Sequence, residues 1–96
     1  MNNELINDLK ERVAIHLIDY LEALKLKDIN QSMYNKAFAY SAIIEIKYTF
    51  SSMHYNELIS NEQHKELQDY INGVMEKIKE TYLDEAFERL QEYKDK

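Results

Sequence analysis

Three histidines, His16, His54 and His64, and eighteen Asp and Glu side chains are the groups in this sequence that could bind a metal or move a proton. A carboxylate-bridged metal site in a helical bundle uses a Glu three residues before a His, so that both project from one face into the interior. The residues three before these histidines are Val13, Ser51 and Asn61. No His-Glu-x-x-His, Gly-rich phosphate loop, Gly-x-Ser-x-Gly or acid-rich calcium loop occurs. The absence of cysteine removes thiolate sites and disulfides. Pairs of helical carboxylates could be proposed for acid-base work, but with 18 acids in 96 residues such pairs arise by chance. The sequence therefore points away from an enzyme and assigns no catalytic residue, cofactor or metal.

What remains is the chemistry of contact. Residues Gln31 to Tyr55 contain neither Gly nor Pro, and at about 100° per residue they form a helix that is apolar on two faces. Ala39, Ala42, Ile43, Ile46, Phe50 and Met53 fall in one arc. Met33, Tyr34, Ala37, Ser41, Ile44, Tyr48, Ser51, Ser52 and Tyr55 fall in another, roughly opposite. Lys36, Lys47 and His54 occupy one gap between them, Glu45 and Thr49 the other. A surface helix ordinarily has one apolar stripe of a little over 100°. The first arc is the oilier and reads as core. The second mixes Tyr with Ser and Ala, side chains that offer stiff, amphipathic area to water or to protein.

The elements that carry these residues follow from capping and periodicity. Asn3 caps a first helix with the stripe Leu5, Ile6, Leu9, Val13, Leu17, Tyr20, Leu21 and Leu24 and an acidic opposite face. Asp28 or Asn30 caps the central helix after a short connection, which makes the two helices antiparallel neighbours. Ser60 with Gln63 is a capping-box arrangement that starts a third helix near Asn61. The stripe of this helix is Leu67, Ile71, Val74, Met75, Ile78 and Tyr82. Beyond Lys79 a new arc of Leu83, Ala86, Phe87, Leu90 and Tyr93 is rotated by about 130°. Thr81 with Asp84 is placed to cap a new start. The expected fold is thus one all-α domain over residues 1–96, a small antiparallel bundle of three long helices near 3–26, 31–55 and 61–80. The third is broken or bent near 79–83, giving a short fourth helix or a projecting tail.

Charge narrows the partners. The net charge is −6; residues 1–56 carry seven acids and six bases, residues 57–96 eleven acids and six bases, so the second segment supplies −5 of it. That disfavours a nucleic-acid backbone, which requires a basic patch. An amphipathic membrane binder would set Lys and Arg opposite its apolar face, where the first helix has acids, and no apolar run approaches the length of a membrane span. Met1-Asn2-Asn3-Glu4 shows no basic segment followed by an apolar one, so a cytoplasmic location is expected. The abundance of Asn, Ile, Lys and Tyr fits an AT-rich coding source such as a low-GC bacterium or its phages.

The expected function is a small acidic helical protein-interaction module, such as an inhibitor, adaptor or anti-defence protein of a phage or mobile element, that covers a surface of its target. The alternative is a structural homodimer, or an immunity-type or ligand-sheltering bundle, without catalytic activity. The candidate partner-binding residues are Tyr34, Ile44, Tyr48 and Tyr55 on the central helix and Leu83, Phe87, Leu90 and Tyr93 on the tail. Left wet, these side chains would expose several hundred Å² of apolar surface, about the limit seen on soluble monomers. A homodimer is therefore expected, and its competitor is a tail that turns back near Thr81 over the tyrosine face.

Overall fold

A computed structural model describes the backbone of residues 3–94 and the side chains of residues 4–81. Three helices follow one another: α1 (Asn3–Ala23), α2 (Ile29–Tyr55) and α3 (Asn61–Lys94). Each packs against the other two in an up-down-up bundle, and no strand occurs among the described residues.

Local chemistry sets the helix ends. Past Ala23 the ladder tightens to Lys25 N–H on Glu22 O and Leu26 N–H on Ala23 O. The Ser32 hydroxyl also donates to Ala23 O, at 2.8 Å, across the α1–α2 connection. The first helix therefore stops short of Lys27, because its last carbonyl is held by the next helix. Of the two candidate caps for α2 it is Asp28 that acts, accepting from Gln31 N–H at 3.0 Å. At its other end, Glu57 N–H reaches His54 O and Leu58 N–H reaches Met53 O. This is the Schellman pattern, in which the residue after the cap turns left-handed and is usually Gly. Here that residue is Glu57, with φ at 62°. The predicted capping box then forms in both directions: Gln63 N–H donates to Ser60 Oγ at 3.1 Å and Ser60 N–H to Gln63 Oε1 at 2.8 Å.

The core draws on heptad-spaced positions of all three helices. Ile6, Val13 and Tyr20 come from α1, Ala39, Ile43 and Phe50 from α2, and Leu67, Ile71, Val74 and Ile78 from α3; Ile59 closes the α2–α3 end. Phe50, Ile43, Leu67, Ile71 and Val13 are fully enclosed. The oilier arc of α2 is thus its core face. Leu5, predicted in the α1 stripe, is exposed instead, because Ile6 takes the inward position and its neighbour lies about 100° away.

The break expected at 79–83 is absent, and so is a fourth helix: α3 is helical from Asn61 through Lys94. The physical reason lies at Thr81. Its hydroxyl donates to Lys77 O at 2.9 Å, one turn back along the same helix, and so does not cap a new start. With neither Gly nor Pro between Lys79 and Leu83, nothing interrupts the backbone ladder. A tight turn at Thr81 that folds the tail over α2 is excluded as well. At about 1.5 Å per residue α3 outruns α1 by roughly 20 Å, and the long axis of the molecule is 57 Å against 19 and 18 Å across.

Candidate interaction face

The second arc of α2 is covered by neither α1 nor α3. The rings of Tyr34, Phe38, Tyr48 and Tyr55 are 67%, 68%, 71% and 87% exposed. Ala37, Ser41, Ser51 and Ser52 lie between them in solvent, and Ile44 is half-buried. Four of the eight predicted contact residues thus share one face. The other four, Leu83, Phe87, Leu90 and Tyr93, lie outside the residues whose side chains are described. Phe38 was missed by the sequence reading although it was legible there: it follows Tyr34 by four and precedes Ser41 by three, and so sits at the margin of their arc.

Electrostatically this face is almost blank. Within α2 the charged residues are Lys36, Glu45 and Lys47; Lys36 is buried and Lys47 is half-buried, donating to Asn72 Oδ1 on α3 at 2.9 Å. Glu45 alone stands fully in solvent. By contrast, the outward faces of α1 and α3 are dense with charge and carry ion pairs such as Lys10 to Glu66, at 3.0 Å, and Lys65 to Asp69, at 2.8 Å.

The histidines are occupied structurally. His54 and His64 stack with ring centroids 4.3 Å apart and planes within 2° of parallel. The Gln68 side-chain amide lies 3.2 Å from His64 Nε2, within hydrogen-bond distance. His54 Nε2 faces Asn61 Oδ1 and donates to it. In-plane lone pairs of two parallel rings do not converge on one ion at the roughly 2 Å that a metal bond requires. Among the described residues no three His, Asp or Glu side chains cluster as a metal site, and no helix is long and apolar enough to cross a membrane.

A cleft of about 560 Å³ opens between the helices at the end where α1 stops. Its wall is mostly apolar, from Tyr20, Met33, Tyr40, Met75 and Ile78, with Glu76 and Lys79 among its lining residues. Lys36, set in a polar gap by the sequence pattern, lines this cleft and is buried beside the apolar groups. A long aliphatic stem makes that possible.

Comparison with known proteins finds no family model, no curated protein and no solved structure that matches this chain.

Proposed function

We propose that this protein is a non-catalytic, acidic helical interaction module that works by laying the outward face of α2 on another polypeptide, as an inhibitor, adaptor or anti-defence protein does. One observation carries the reading: the outward face of a 27-residue helix presents Tyr34, Phe38, Tyr48 and Tyr55 to solvent with a single exposed charge among them. Interface centres are depleted in charge and enriched in Tyr and Phe, whereas an ordinary solvated helix face is neither. The net charge of −6 disfavours a nucleic-acid backbone as the partner. A photo-crosslinking residue in place of Tyr48, introduced in cells of the protein's own source, tests this. It captures a polypeptide, whether another copy or a foreign chain, while the same residue at Ile15 on the outer face of α1 captures none. Equal or absent capture at both positions overturns the reading.

The cleft supports a second reading, a bundle that shelters a small apolar ligand, since its volume lies in the range of ligand pockets, roughly 300–1,000 Å³. Saturable binding of an apolar fluorophore, abolished by Lys79→Trp in the cleft lining, supports that reading; binding unaffected by the substitution removes it.

A further inference from the structure

We infer that the occupant of the α2 face is a second copy of this chain, packed antiparallel across a two-fold axis between Ala42 and Ile43. The inference rests on the interaction-module reading above and adds the identity and register of the partner.

Area is the first argument. An aromatic side chain can bury about 150–250 Å², so four rings exposed by two thirds or more leave on the order of 500 Å² open. A patch of that size is near the upper end for a monomer. A two-fold contact covers the same patch twice, and the rings alone then reach roughly 1,000 Å², the threshold of a specific interface. It does so with a surface that is present by construction.

The second argument is the order of large and small residues along the face. Tyr34, Ala37, Ser41, Ile44, Tyr48 and Ser51 follow one another at spacings of three and four, the seam of a two-helix coiled coil. All are exposed except Ile44, which is half-buried. Run antiparallel about a point between Ala42 and Ile43, the seam sets Tyr34 against Ser51 of the second copy, Ala37 against Tyr48, and Ser41 against Ile44. Every layer joins a large side chain to a small one, which is how facing positions interdigitate without voids. A parallel pair would set Tyr34 on Tyr34 and Tyr48 on Tyr48, with Ala37 on Ala37 and Ser41 on Ser41. That arrangement alternates crowding with gaps, and both are costly. The axis also leaves the projecting ends of the two α3 helices at opposite ends of the assembly.

The chain has no cysteine, which permits a direct test. Light scattering at tens of micromolar gives two chains for the native protein and one for Tyr48→Glu, whose circular dichroism is unchanged because the residue touches no core. Under mild oxidation Ser41→Cys forms a covalent dimer, since the two copies of residue 41 lie about 5 Å apart along the axis. Ser51→Cys does not, since its copies are separated by about 25 Å at 1.5 Å per residue. Covalent dimer from both variants overturns the antiparallel register. A two-chain mass that survives Tyr48→Glu overturns the α2 face as the contact. A one-chain mass overturns the second copy as occupant; if Tyr48 still captures a foreign polypeptide, the interaction-module reading stands, and if it captures nothing, both fall together.

Discussion

Ser32 and Lys65 mark the two ends of what one polar side chain contributes here. The Ser32 hydroxyl is buried and ties the last carbonyl of α1 to the first turn of α2 at 2.8 Å. Ser32→Ala removes that donor while Ala23 O keeps its bond from Leu26 N–H. The expected loss is therefore one hydrogen bond rather than a stranded acceptor, about 1 kcal/mol, read as a lower urea midpoint at constant slope. Lys65 is different. The hydrogen bond that the Lys65 ammonium donates to Asp69 Oδ2, and then the charge of Asp69, raise Lys65 above its ordinary 10.5. A raised lysine contributes in full below its unfolded value and loses the contribution as pH climbs through the folded one, so on the alkaline side the Lys65 contribution fades only above its ordinary 10.5. Both side chains stand in solvent, where such pairs contribute little. A single enclosed hydroxyl outweighs the 2.8 Å ion pair on the surface.

At the scale of the element, α3 separates what a sequence pattern encodes from what it does not. Thr81→Ala is the decisive substitution. Were Thr81 the cap of a new helix, Ala would cost about 1 kcal/mol; within a continuous helix, Ala removes a back-bonded hydroxyl and a β-branch and raises stability by up to about 0.5 kcal/mol. We expect the gain, with no loss of helical circular dichroism. The bundle, its antiparallel order, the capping box at Ser60 and Gln63, and the identity of the α2 core arc were all legible, because each depends on residues within a turn or two of one another. The break at 79–83 was read from a change of hydrophobic phase. Phase reports which side chains share an environment, whereas continuity is decided by the backbone ladder, which that segment leaves intact. The early end of α1 was illegible for the opposite reason, since it depends on a tertiary bond from Ser32 nine residues on. On the candidate face, Tyr34, Tyr48 and Tyr55 were found by their arc, whereas Phe38 escaped at its margin and Lys36 was buried by neighbours that no periodicity names.

The molecule as a whole is a slender bundle, 57 Å long and less than 20 Å across. Its contacts are mostly within or between consecutive helices, an arrangement that favours rapid folding. The left-handed residue at the α2–α3 connection has a consequence for the order of events. A non-glycine residue at that φ carries roughly 1 kcal/mol of strain, so a chain that closed this turn first would start uphill. The expected order is therefore that the helices meet before Glu57 is forced into place, which would make the turn a late event. Glu57→Gly relieves the strain at some cost in unfolded-state entropy, about 0.4–1 kcal/mol, and the net gain, up to about 0.6 kcal/mol, is expected on the far side of the transition state. We expect refolding in stopped-flow to keep its rate while unfolding slows by up to about threefold. Faster refolding with unchanged unfolding would instead place the turn in the nucleus. On the expected outcome the hairpin between the two longest helices is a latch rather than a seed: it sets how long the folded bundle persists, and leaves the speed of assembly to the helices it joins.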